Sequence, residues 1–170
     1  IAYDGNLTLA GDSMTSDLTL SSTAAISNVA NATLAETNNA AITGPSITLG
    51  TQAGDMMNYG SLTVNRAGAA TIAEDSSMLL VGNSVVNSLN VSSTAALTNA
   101  ANAVITATNS AAFAGTTVTI GTQAGDMMNF GSLTVNSAGA VVVAEDSATQ
   151  LAGSSTAGSF DLDSTGAITN

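Results

Sequence analysis

The chain has 170 residues, with 12 acidic residues against one basic residue, Arg66, and no Lys, His or Cys, for a net charge of −11. That balance counts against nucleic acid or an anionic membrane as partner, since both draw their affinity from Lys and Arg. It also removes the His, Cys and Lys on which most nucleophilic and acid–base catalysis depends. Apolar residues make up 45 % but aromatics only 3 %, which suits a narrow core of stacked Ala, Val, Leu and Ile and argues against disorder.

In chain order, residues 1–10 read as the end of a repeat, because Ile1-Ala2-Tyr3-Asp4 matches Ile72-Ala73-Glu74-Asp75. Residues 11–81 form a full repeat and contain the triplets Leu18-Thr19-Leu20, Ile47-Thr48-Leu49 and Leu62-Thr63-Val64. Two apolar residues flanking a polar one are the period-2 signature of a half-buried strand. Between the triplets lie Gly, Asn, Ser and Asp, which turn a chain. The block Gly50-Thr51-Gln52-Ala53-Gly54-Asp55-Met56-Met57-Asn58 returns unchanged at 121–129 in a second full repeat, residues 82–152. That repeat carries Val118-Thr119-Ile120 and Leu133-Thr134-Val135. Across the 71 aligned positions 41 are identical, with no gap, and a fixed period of this kind marks a solenoid. Residues 153–170 begin a further copy. Starting and stopping in mid-repeat, the chain is expected to be a fragment of a longer protein, with export signals, caps and anchor outside it.

Strand starts of one form recur at Leu18, Leu62, Leu89, Leu133 and Phe160, at successive intervals of 44, 27, 44 and 27. Dividing each 44 near Ala40–Ile42 gives about three coils per 71-residue repeat. Each coil is then roughly 21–27 positions long, with roughly three short strands. The expected fold is all-β, one continuous parallel β-helix (β-solenoid) over residues 1–170. At an inter-strand spacing of about 4.8 Å, one repeat would advance about 14 Å. No apolar stretch approaches the roughly 20 residues that span a bilayer, so no membrane insertion is expected in this segment.

Candidate chemistry is thin, and neither catalytic nor metal-binding nor cofactor-binding residues are assigned. Arg66 is the one centre an enzyme could use, and its repeat equivalent is Ser137, so the chain is read as not an enzyme. Glu74-Asp75 recurs as Glu145-Asp146 and Asp55 as Asp126. Lined up on one face, these acidic corners are where a Ca²⁺ ion could find oxygen ligands. Equivalent residues three coils apart cannot share an ion, so solvated corner carboxylates are the favoured reading. Met56-Met57 and Met127-Met128 read as core filling rather than a soft-metal site. Tyr59, Phe113, Phe130 and Phe160 read as core or corner packing. Asn65/Asn136 and Asn28/Asn99/Asn170 read as amide ladders along the axis. Thr8, Thr19, Thr48, Thr63, Thr119 and Thr134 could form an outward array of the kind that binds ice, but Thr19 becomes Asn90. The sequons at Asn6, Asn31 and Asn90 have no repeat equivalents and read as chance.

Gly131-Ser132-Leu133-Thr134-Val135-Asn136-Ser137-Ala138-Gly139-Ala140 and the run Gly158-Ser159-Phe160-Asp161-Leu162-Asp163-Ser164-Thr165-Gly166-Ala167-Ile168-Thr169-Asn170 resemble the repeats of filamentous haemagglutinin-like bacterial exoproteins, exported by two-partner secretion or as autotransporter passengers. The resemblance implies a right-handed β-helix and an extracellular or cell-surface location. It also implies a structural role as fibre, rod or adhesin stalk, with further copies of itself as partners. The alternative it leaves is an adhesin module that binds a surface glycan or a receptor. A polysaccharide-degrading enzyme would need a non-repeated polar cluster, and the sequence offers none.

Overall fold

The computed structural model describes residues 1–170, apart from the side chains of Arg66 and Ala67. The fold is all-β. Seventeen of its strands join one sheet, a further pair (Thr149–Gln150 with Ile168–Thr169) forms a second, and the strand pairs run parallel. The sheet wraps around a narrow core as a β-solenoid of about eight turns.

One column of paired residues shows how the coils stack. Leu7 pairs with Ile26, Ile26 with Ile47, Ile47 with Ala70, Ala70 with Leu89, Leu89 with Ala111, Ala111 with Leu133, and Leu133 with Leu151. The shortest step along the chain is Leu133 to Leu151 and the longest is Ile47 to Ala70. The coils thus run from 18 to 23 residues, shorter than the roughly 21–27 expected from sequence. Ile26, Ile47, Ala70, Leu89, Ala111 and Leu133 are all at most 2 % exposed. Their outward neighbours form a second column of small side chains: Thr8, Ser27, Thr48, Thr71, Asn90, Ala112 and Thr134. Alternation along each strand is thus what divides core from surface. Each fully buried Leu, Ile, Val or Met adds about 1.5–3 kcal/mol, and such side chains make up most of the core.

The 71-residue repeat and the coil do not share a period. Three steps from Ile26 reach Leu89, whereas the repeat equivalent of Ile26 is Leu97. Leu97 belongs to a different column, Met78–Leu97–Val118–Val141–Phe160. The stretch from Leu89 to Leu97 makes one side of the coil, so a repeat is three coils plus one side of three. Successive repeats are therefore turned by a third of a revolution. The sequence expectation that equivalent acidic residues share a face is corrected on this point. The two alternating intervals between strand starts have the same origin. The longer is two coils, Leu18–Ala40–Leu62, while the shorter is one coil plus one side. At about 4.8 Å per coil the advance per repeat is about 16 Å, and an identical face returns after three repeats, or ten coils.

Several smaller expectations change. Met57 and Met128 are fully buried, but Met56 is 58 % and Met127 55 % exposed, because adjacent strand residues point to opposite sides. Tyr59, Phe113 and Phe130 are core residues, with Phe113 and Phe130 edge-to-face at 5.5 Å. Phe160, stacked over Val141, is 41 % exposed. The Thr residues do not form one array. Thr19 and Thr63 flank Ala41 on one side, and Thr119 lies in a third column beside Thr98 and Val142.

Candidate functional site

The nine-residue block that repeats unchanged is a corner, and hydrogen bonding explains its identity. Asp55 accepts from three donors: the side-chain amide of Asn28 (2.7 Å), the backbone N–H of Gln52 (2.8 Å) and the backbone N–H of Ala32 (3.3 Å). Asn28 completes the clasp by accepting the Gly50 N–H (3.0 Å) and donating to the Val29 carbonyl (2.9 Å). The second repeat rebuilds every bond. Asp126 accepts from Asn99 (2.7 Å), Gln123 (2.8 Å) and Ala103 (3.1 Å), and Asn99 accepts the Gly121 N–H (2.8 Å) and donates to the Ala100 carbonyl (2.9 Å). The amides of Asn28 and Asn99 bridge one coil to the next rather than stacking on each other, so the expected Asn ladder is not formed. Asn31 and Asn102 take left-handed φ values of 60° and 61° opposite this loop, a conformation Asn tolerates better than most residues. That gives Asn31, read from sequence only as a sequon, a structural part to play.

The Glu–Asp pairs clamp the neighbouring strand. Asp75 accepts the Met57 N–H (2.8 Å) and Asp146 the Met128 N–H (2.7 Å). Glu74 accepts the Tyr59 N–H (3.3 Å) and Glu145 the Phe130 N–H (2.8 Å). Both Glu side chains are buried, at 2 % and 3 % exposed. The reading of solvated corner carboxylates is therefore corrected for Glu74 and Glu145, which are internal acceptors, while Asp75 and Asp146 remain exposed and Asp55 and Asp126 are half-buried. Burial, followed by the like charges of Asp75 and Glu36, pushes the Glu74 acid up to about 7, against the opposing hydrogen bonds from Ser76 and Tyr59.

No family model, curated protein or solved structure matches the chain. The chemistry is accordingly read from the residues alone. Among the described residues no group of three or more His, Cys, Asp or Glu is arranged to hold a metal ion. Arg66, the one candidate enzymatic centre, has a side chain outside the described residues. Both carboxylate oxygens of Asp55 and of Asp126 are already engaged by N–H donors, which leaves a hard cation only their remaining lone pairs. Millimolar Ca²⁺ is expected to leave the melting temperature unchanged. A rise of several degrees on adding Ca²⁺, reversed by chelator, would place an ion at these corners after all.

Four of the exposed apolar residues follow the repeat. Met14 (86 %) and Met56 (58 %) correspond to Val85 (49 %) and Met127 (55 %). Asp12–Thr33–Met56 and Asn83–Val104–Met127 are equivalent columns on different sides of the coil. The rod thus carries one apolar spot per repeat, each turned from the last. Sequence pattern alone missed this, because Met-Met reads as core; the triplet alternation across 56–58 is the signal that separates the two.

Proposed function

We propose that the chain is a segment of an extracellular bacterial rod, a structural fibre or adhesin stalk, and not an enzyme. The observation that carries this reading is the stack of parallel coils built from a gap-free 71-residue repeat. Such an architecture adds length without changing the fold, since each repeat contacts only its neighbours. Its continuous backbone bonding makes a stiff spacer that offers proteases no loose loop, and its acidic surface keeps it soluble. The likeness of its Gly-x-Leu-x-Val/Leu runs to filamentous haemagglutinin-like exoproteins supports the same reading and the same location. The partners are further copies of the repeat, with the apolar spots at Met56 and Met127 as the lateral contacts.

The test is electron microscopy of the native material. Long uniform filaments with an axial advance of about 16 Å per repeat are the expected result. Discrete short particles would sink the fibre reading and favour a glycan- or receptor-binding module carried on a short stalk. Mutating Met56 and Met127 to Ser is expected to weaken lateral association, read by sedimentation, while leaving the circular dichroism of the β-structure unchanged.

A further inference from the structure

Inside the first repeat, three buried side chains each carry an oxygen with no hydrogen-bond partner: Glu36 Oε2, Tyr59 Oη and Glu74 Oε2. Glu36 is 3 % exposed, Tyr59 1 % and Glu74 2 %. Strand register brings them together. Leu34 and Ala35 pair with Met57 and Asn58, so Glu36 follows in step with Tyr59, whose N–H donates to Glu74 Oε1 at 3.3 Å. The remaining oxygens are occupied: Glu36 Oε1 accepts the Asn38 N–H (3.1 Å), and Glu74 Oε1 also accepts the Ser76 hydroxyl (2.6 Å). Each carboxylate is therefore half satisfied. Leaving a buried carboxylate ionised and unpaired is costly, and the usual outcome is that it takes a proton.

The second repeat removes this arrangement position by position. Glu36 becomes Ala107, Tyr59 becomes Phe130 and Met78 becomes Thr149. Thr149 then donates its hydroxyl to Glu145 Oε2, the oxygen equivalent to the bare one on Glu74. One repeat thus gives its buried Glu an internal donor and a single charge. The other gives it a methionine, a phenol and a second carboxylate. Among the described residues, the charged groups acting on the cluster are all acidic: Asp75 on Glu74, Asp17 on Glu36, and Asp55 and Asp75 on Tyr59.

We propose that Glu36, Tyr59 and Glu74 form a pH-dependent latch: the first repeat closes with a proton held in the cluster, and its coil loosens when that proton is lost. The second repeat, with Thr149 as donor, stays closed over the same range. The direction follows from linkage. Glu74 titrates near 4.5 unfolded and at about 7 folded, so between those values the folded chain binds more protons than the unfolded chain. Stability from this group is complete below the unfolded value, falls as pH rises, and is gone above the folded value. Glu36, also raised by burial first and Asp17 last, acts in the same sense.

The test compares two amides in one molecule. Hydrogen exchange is followed at the Tyr59 and Phe130 N–H groups from pH 5 to pH 8, so that the intrinsic pH dependence of exchange cancels in their ratio. Protection of Tyr59 relative to Phe130 is expected to fall by about 70-fold from the Glu74 contribution over this range. Glu74→Gln removes the Glu74 titration and keeps the shape, and its ratio is expected to fall far less than in the parent chain, by the share of Glu36 alone. Met78→Thr supplies the donor seen at Thr149 and is expected to shrink the fall in the same way, which keeps the test decisive if Glu74→Gln fails to fold. An unchanged ratio in the parent chain, or an equal fall in either variant, would overturn the latch.

Discussion

Asp126→Ala is expected to destabilise the chain by about 4 kcal/mol, because unsatisfied buried donors cost about 1–3 kcal/mol each and two are created at once. Asp126 accepts the Asn99 side-chain amide, the Ala103 N–H and the Gln123 N–H. Gln123 is exposed, and water replaces its lost bond. Ala103 is 0 % and Asn99 4 % exposed, and water does not reach them. The loss propagates through Asn99, whose Oδ1 holds the Gly121 N–H and so sets where the corner begins. Asp126→Asn keeps one acceptor oxygen and is expected to cost about half as much. The equivalent Asp55→Ala is expected to match Asp126→Ala, since its three bonds have the same partners in the same order. Urea unfolding at neutral pH measures all three variants. A cost below about 1 kcal/mol for Asp126→Ala, in the range of an ordinary surface substitution, would show that the corner is held by its backbone alone.

Much of the fold was legible in the sequence because a solenoid writes its period directly into the chain. Triplets such as Leu62-Thr63-Val64 marked which residues face inward, and the Gly- and Asn-rich intervals marked the corners. The one-third turn per repeat was less visible. Strand starts of one form, such as Leu62 and Leu89, lie on different sides of the coil, and only pairing partners such as Leu62–Leu80 and Ala70–Leu89 reveal it. The part played by Asp55 was missed for a different reason. A carboxylate after Gly looks like a solvent-facing turn, and nothing in Gly54-Asp55 says that three N–H groups from two coils converge on it. The signal that was present is the contrast between strands that drift and a polar block that does not. Ile47 becomes Val118 and Leu49 becomes Ile120, while the nine residues from Gly50 to Asn58 are all kept. Apolar contacts tolerate such exchanges of shape, whereas a hydrogen-bonded clasp needs each donor and acceptor. The Glu36–Tyr59 pair was hidden because inward positions are expected to be apolar, and its loss in Ala107 and Phe130 looked like ordinary drift.

The first residue of the same block carries the second large effect. Gly121 has φ +79°, and a Cβ built on it would stand 2.0 Å from the Ala144 carbonyl oxygen of the next coil. Gly50 repeats the arrangement at φ +73° and 2.2 Å from Ala73 O. Gly121→Ala meets two separate obstacles. The left-handed conformation costs an L-residue about 1–2 kcal/mol, and forcing extra volume into close-packed surroundings costs about 1–3 kcal/mol. The expected loss is about 3 kcal/mol from the sum of these terms. The second obstacle is a backbone atom, so no rotamer change relieves it. The coil spacing itself must widen, and since Ala144 belongs to the strand Ala140–Glu145, the strain reaches Glu145 and its bond to Phe130. Gly82, also at positive φ (+62°), provides the comparison. Its nearest neighbour to a built Cβ is Thr63 Oγ1, a side-chain atom at 3.5 Å, so Gly82→Ala keeps only the conformational penalty of about 1–2 kcal/mol. Equal losses for the two variants in thermal unfolding would mean that φ alone governs these corners, and that the close approach of successive coils contributes nothing to the choice of glycine.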